Sequence, residues 1–376
     1  VSLPQRPFMH VPHVHVNLIC LIHAREGGDA GEEKRGSRQR EGVHMTAKGR
    51  GWVPAQFAAL ALVWGASFLF IRVALDGLSP VQVVFGRLTC GALVLGAVMV
   101  GTRRRWPRGV EVWGHLTVIA VLLCVAPFLL FAWAGQHIDS GLSSIYNATT
   151  PLTTLLVSLA VLPDERLTRT RAWGVVIAAL GVVVVASPWS LLAQDEGSGW
   201  VSLTAQVACL GATTCYGLAF VYSRRFLRGY PYDATTIAAS QIGVAALLTA
   251  VLMPFAGTTS VELTVPVVAS VVVLGAVGTG IAYIWNTRII QAWGATLAST
   301  VTYLTPLVGV TLGVLVLGES LHWNEPVGAA LVIVGILTSQ GRLRHMTLRA
   351  PRLRRVVFYG RRSDTADGPS PKHQGQ

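Results

Sequence analysis

Two stretches decide how this chain is read: Ser140-Gly-Leu-Ser-Ser-Ile-Tyr-Asn-Ala-Thr-Thr-Pro151-Leu152 and Ala295-Thr-Leu-Ala-Ser-Thr-Val-Thr-Tyr-Leu-Thr-Pro306-Leu307. In both, small and hydroxylated residues lead to a Thr-Pro-Leu and then to an apolar segment closed by an acid, Glu165 and Glu319. After a one-residue gap, Gly174 matches Gly328 and Gly181 matches Gly335. Earlier in the chain, Trp64-Gly65-x-x-Phe68-x-x-x-Arg72 matches Tyr216-Gly217-x-x-Phe220-x-x-x-Arg224. Self-similarity at a nearly fixed separation marks an internal repeat.

Outward from these landmarks the chain is a series of apolar runs with short breaks. The runs are 53–75, 80–101, 112–135, 141–162, 171–188, 200–223, 233–256, 265–287, 295–317 and 323–341. Each is near the ~20 residues that cross ~30 Å of hydrocarbon as a helix. A helix satisfies its own backbone polar groups in lipid, and the alternating pattern of a membrane barrel is absent. The predicted fold class is an all-α membrane protein with ten transmembrane helices in two inverted five-helix repeats, 53–188 and 200–341. Residues 1–50 are expected to be a disordered or mis-started extension, with Met45 as the alternative start, and 342–376 a basic cytoplasmic tail. The apolar patch Val14 to Ile22 is too short to span and is followed by no small-residue cleavage site.

Composition agrees with the lipid bilayer as partner. Apolar residues make up 52 % of the chain and charged residues only 13 %. The net charge of +12 sits in short runs between apolar stretches and in the tail, not in a folded basic domain, which argues for no nucleic acid. The cysteines form no Cys-x-x-Cys pair, and four of the five lie in apolar runs, so neither a disulfide framework nor a metal site is implied.

Lys and Arg set the orientation. With the first tail inside, the inner segments hold Lys48 and Arg50, Arg103 to Arg108, Arg166 to Arg171, Arg224 to Arg228, Arg288 and the tail from Arg342. The outer breaks hold no Lys or Arg and carry Asp76, Asp139, Asp195, Glu196, Glu262, Glu319 and Glu325. Both termini are therefore expected in the cytoplasm of a multi-pass plasma (inner) membrane protein. A repeat of five helices is odd, so the second copy enters from the opposite side. Charge agrees: the break after run four is basic, whereas its counterpart after run nine holds two acids and no base. Inverted repeats are the architecture of many secondary transporters, whose sites lie near the midplane between the halves.

These residues resemble the EamA-type transporters of the drug/metabolite transporter superfamily. The resemblance rests on Trp64-Gly-Ala-Ser-Phe68, on Arg87, and on the two Pro-to-Glu blocks ending at Glu165 and Glu319, each followed by a Gly-x6-Gly helix. It covers roughly 53 to 340. One departure is Leu-Pro163-Asp-Glu165, a residue longer than the usual Leu-Gly-Glu. The resemblance implies a ten-helix bundle moving metabolites, amino acids or drug-like compounds. An exporter working by alternating access is the direction it favours.

Candidate substrate-binding residues follow from chemistry at depth. Pro151 and Pro306 lack the N–H that would bond four residues back, so the carbonyls of Asn147 and Thr302 lose their usual partner. Either these carbonyls serve a polar solute, or Thr150 and Thr305 ease a structural kink. Arg87 falls inside run two, and its repeat counterpart is the uncharged Ala238. A buried arginine must find a partner in Asp139, in freed carbonyls or in a substrate anion. Arg72 and Arg224 are expected to reach the interface from helix ends. Trp64, Tyr146, Tyr216, Tyr283 and Tyr303 either line a cavity or pack as ordinary helix residues, and the resemblance places the Trp64 motif in the central cavity. Gly309-x3-Gly313 serves close packing within the chain or a homodimer seam.

No acid or histidine lies at the centre of a run, so a carboxylate relay is not supported. Walker A and His-Glu-x-x-His motifs are absent, and Gly275-Ala-Val-Gly-Thr-Gly280 has no strand before it. No cofactor is implied. The competing readings are a membrane enzyme, which would need a nucleophile and base at one depth, and a non-transporting scaffold without a polar cleft. Against them, the expectation is a non-enzyme handling a small-molecule solute.

Overall fold

The computed structural model describes residues 52–163, 165–189, 196–227, 229–294 and 298–341, with backbone only at 196–198. The expected N-terminal extension with Met45, the basic tail, and the first residues of the second Thr-Pro-Leu stretch lie outside them. Among the described residues there is helix and no strand. The elements are α1 (Val53–Ala74), α2 (Pro80–Gly101), α3 (Val110–Ala134), α4 (Ser140–Asn147), α5 (Thr150–Val161) and α6 (Arg169–Ala186). They continue as α7 (Glu196–Phe226), α8 (Ala234–Ala256), α9 (Val265–Trp293), α10 (Val301–Leu317) and α11 (Asn324–Ser339).

Helix overlies every predicted run, but not every run is one long rod. Among the described residues seven helices, α1, α2, α3, α6, α7, α8 and α9, are long and apolar enough by themselves to cross a membrane. α10 and α11 are shorter apolar helices. The fourth run differs from expectation: it breaks at Ala148 and Thr149 into α4 and α5, because Pro151 starts a fresh helix in its first turn. Pro306 instead lies inside a continuous α10. The outer surface suits lipid, with Leu93, Leu180, Leu247, Phe255 and Leu315 all exposed. A water-soluble monomer rarely shows so much apolar surface. The chain is a multi-pass membrane protein.

Glycine decides how the rods meet. α6 and α11 run antiparallel with backbones in contact: a Cβ on Gly181 would fall 2.7 Å from the Val332 nitrogen and 2.8 Å from the Gly328 oxygen. Gly174 faces Gly335 in the same way, so the two Gly-x6-Gly stripes interlock. α1 packs on α10, where Gly65 meets the Thr305 oxygen, and α7 packs on α5, where Gly217 meets the Thr154 nitrogen. The first helix of each predicted half thus lies against the fourth run of the other.

The breaks sort into two ends. At one end the Glu262 nitrogen donates to the Gly77 oxygen at 2.9 Å, and Gln82 Nε2 to the Gly257 oxygen at 2.9 Å. Arg72 Nη1 donates to the Gly135 oxygen at 2.7 Å at that same end, so it caps α3 instead of reaching freely outward. At the other end Arg104 pairs with Asp233, and the Arg108 nitrogen donates to the Tyr232 hydroxyl at 3.0 Å. The acidic breaks meet the acidic ones, and the basic breaks meet the basic ones.

Candidate functional site

Two helices in matching places leave the α-helical ladder. α3 carries a π segment over Val121–Val125, and α9 a longer one over Val273–Ile281. They begin as far apart in sequence as Trp64 and Tyr216. In α3 the cause is Pro127, which has no N–H for the Leu123 carbonyl, so the turn before it widens. In α9 the run Gly275, Gly278 and Gly280 offers little side-chain preference for the α ladder, and the Thr279 hydroxyl donates to the Leu274 oxygen five residues back at 3.0 Å. Bare glycines also let α2 come close: a Cβ on Gly275 would lie 2.5 Å from the Arg87 oxygen. That is the role of the Gly-rich run the sequence left unassigned.

Arg87 lies between these two segments. It is 9 % exposed. Its Nε donates to Thr279 Oγ1 at 3.1 Å, and its guanidinium carbon stands 3.8 Å from the centre of the Phe128 ring. Tyr216, Tyr283 and Cys124 lie within electrostatic reach of it, and none of these is a carboxylic acid. Cys124, from the α3 π segment, lies within electrostatic reach of Tyr283 and Arg87. The Asp139 partnership considered from sequence is not formed. Trp64 joins the group through α9, its Nε1 donating to the Gly278 oxygen at 3.3 Å, next to Thr279.

Of the residues expected from sequence, Trp64, Arg87, Tyr216 and Tyr283 are therefore gathered about the α9 π segment. Tyr146 lies a layer away, buried with Phe68 and Phe131 in a core that Tyr216 also touches, and its hydroxyl donates to Gln206 Oε1 at 2.7 Å. Asn147 and Pro151 flank the α4–α5 break, and Thr302 and Pro306 occupy α10. The carbonyls released by the prolines are already engaged: Thr150 donates to the Asn147 oxygen at 2.7 Å and Thr305 to the Thr302 oxygen at 2.9 Å. Each kink is eased by its own threonine, in both copies alike, which leaves only second lone pairs for a solute. Tyr303 turns elsewhere, packing among Leu152, Ala178 and Ile336 with its hydroxyl on Gln340 Oε1 at 2.8 Å.

Phe128, Thr279 and Gln206 belong to this interior and escaped the sequence reading. Gln206 and Thr279 had a usable signal, as polar residues deep in apolar runs; Phe128 had none. A separate groove of about 440 Å³ lies on the lipid-facing side of α2 and α8, lined by Phe85, Ala92, Val244 and Leu247. It is almost wholly apolar and does not include Arg87.

The EamA-like transporter family matches this chain twice, over 53–187 and 203–339. An "uncharacterized transporter" of Archaeoglobus fulgidus is 25 % identical over 277 residues, 73 % of this chain and 93 % of that protein. A "probable terminal-alkyne amino-acid exporter" of Streptantibioticus cattleyicolor is 28 % identical over 284 residues, covering 73 % and 89 %. The inner membrane transporter YedA of Escherichia coli is 22 % identical over 287 residues, covering 74 % and 87 %. A solved crystal structure superposes with a TM-score of 0.54 at 20 % identity over 77 % of this chain and 98 % of the other, a likeness of fold alone.

Proposed function

We propose that this chain, which belongs to the EamA-like transporter family, is a secondary transporter that exports small organic solutes by alternating access. The family and the names of its relatives make it a membrane transporter. The finer reading is ours: two inverted halves, 53–188 and 200–341, crossing the inner membrane ten times with both termini in the cytoplasm. Its support is the sorting of acidic and basic breaks to opposite ends, and the reach of the shorter helices. α10 and α11, of 17 and 16 residues, extend roughly 25 Å, near the hydrocarbon thickness.

The observation that carries the proposal is the convergence of irregular helix on one interior charge. Non-α backbone at membrane depth is tolerated only where protein or a water-filled cavity covers it, and broken helices build transporter sites. The α9 π segment gives Thr279 to Arg87, and Phe128, just past the α3 π segment, covers its guanidinium. The substrate-binding group is Trp64, Arg87, Tyr216 and Tyr283, with Tyr146, Asn147 and Pro151 and their counterparts Thr302, Tyr303 and Pro306 shaping the helices that rock around it. The family and the relatives named as transporters support reading it as a non-enzyme.

Reconstituted in vesicles, the full chain is expected to move members of a panel of labelled amino acids and toxic compounds, assayed with and without a proton gradient. Arg87→Ala is expected to lower that flux about tenfold or more. Unchanged flux in this variant would remove the site. A membrane-impermeant label on a cysteine placed in the break 189–198 is expected to react from outside; reaction from the cytosolic side alone would undo the inverted arrangement.

A further inference from the structure

The geometry points to Arg87 as a receptor for one carboxylate, so that the solutes handled here are organic monoanions or zwitterions and not neutral or cationic compounds. This rests on the transporter reading, and it begins from the donors that Arg87 has left over. A guanidinium carries five N–H groups in a flat fork. Nε–H is spent on Thr279, and one face is covered by Phe128. The Nη1 and Nη2 groups have no hydrogen bond or ion pair among the described residues. Neither nitrogen is among the fully enclosed, unpartnered side-chain atoms of the described residues, which are Ser140 Oγ, Ser143 Oγ and Ser240 Oγ. The four Nη hydrogens are therefore unpaired on an otherwise buried cation.

Charge sets the class. An arginine inside a membrane helix is costly, so it is kept only with compensation. Thr279 supplies a neutral oxygen and Phe128 a ring face, and neither brings a negative charge. No acid pairs with it among the hydrogen bonds of the described residues. A carboxylate laid along the Nη edge matches the fork two oxygens to two nitrogens. A single guanidinium balances one negative charge, so a doubly charged phosphate ester would be left partly uncompensated. Phe128, Tyr216 and Tyr283 around the head suit an apolar body behind the carboxylate. Thr279 locks the plane of the fork, which makes it a positioning residue.

The test compares acids with their amides. Purified full-length protein is screened by thermal shift against the proteinogenic amino acids, their amides, and short monocarboxylates such as benzoate and isovalerate. At least one acid is expected to bind, its amide about tenfold more weakly or not at all. Arg87→Gln should remove the distinction, Arg87→Lys keep part of it, and Thr279→Val weaken binding while preserving the preference for acid over amide. Amides binding as well as acids, acid binding undiminished in Arg87→Gln, or no acid binding at all would each overturn the inference. The acid–amide comparison uses wild-type protein, so it survives a variant that fails to fold. The same panel in vesicles separates the two claims. Acids that bind through Arg87 without crossing would sink the transporter reading alone; transport confined to neutral or cationic solutes would sink this inference alone.

Discussion

Glu165 and Glu319 occupy the same place in the two copies, at the end of the Thr-Pro-Leu helix, yet they are held by different means. Glu165 accepts from Arg171 Nη1 at 2.8 Å and Arg224 Nη1 at 3.1 Å, at the basic end of the bundle. Glu319 meets no arginine. Its two oxygens accept from the backbone nitrogens of Ser140 and Gly141 at 2.7 and 3.0 Å, closing the N-terminus of α4. The breaks at the Glu319 end hold no Lys or Arg, and there the free N–H groups of a helix start do the work of a cation. The Arg224 arm of the first contact and both bonds of the second bridge the two copies. One is an ion pair open to salt; the other is fixed by peptide geometry.

Substitution should separate them. Glu319→Ala is expected to have the larger effect, about 2 kcal/mol in unfolding of the detergent-solubilised protein, because it strips two charge-assisted bonds from α4. Glu165→Ala should cost about 1 kcal/mol or less, since its partners are partly solvated. Raising salt should shrink the Glu165 effect and leave that of Glu319 nearly unchanged. Equal losses, equally salt-sensitive, would erase the distinction.

Acid should move the two ends in opposite directions, by smaller amounts. Burial alone would raise the Glu165 carboxyl, but hydrogen bonds from Arg224 and Arg171 outweigh it and hold it below its ordinary value. The stability it contributes is complete above the ordinary glutamate range and fades as pH falls through the lowered value. Asp139, beside the Glu319 cap, is pushed upward by burial and by the Glu319 charge, with Arg72 and His322 opposing. A raised carboxyl takes up its proton earlier in the folded state, so acidification through that value favours folding at this site. Melting curves of Glu165→Gln and Asp139→Asn against wild type between neutral pH and pH ~3.5 should show the wild-type contribution falling at the first site and rising at the second. Movement in the same direction would contradict the assignment.

Much of this was written in local chemistry. Apolar runs and the charge of the breaks located the helices and foretold which loops meet, because hydrophobic length and Lys/Arg placement are properties of short segments. Pro151 and Thr150 likewise announced a kink and its remedy. Arg87 stood out as a charge where none is cheap. Its surroundings did not, since Phe128 comes from α3 and Thr279 from α9, and their approach depends on π segments that have no compact signature. Tyr303 and Tyr216 looked alike in sequence; only the rotation of each helix about its axis put one on Gln340 and the other beside Arg87.

The clasp between α6 and α11 carries a final consequence. Because glycine meets glycine across it in reversed order, the contact is isologous: a surface that recognises its own likeness turned over. Such a surface needs no second, complementary design. A polypeptide severed between the two copies would still bring to each fragment the complete means of finding the other, and the covalent link contributes proximity more than recognition.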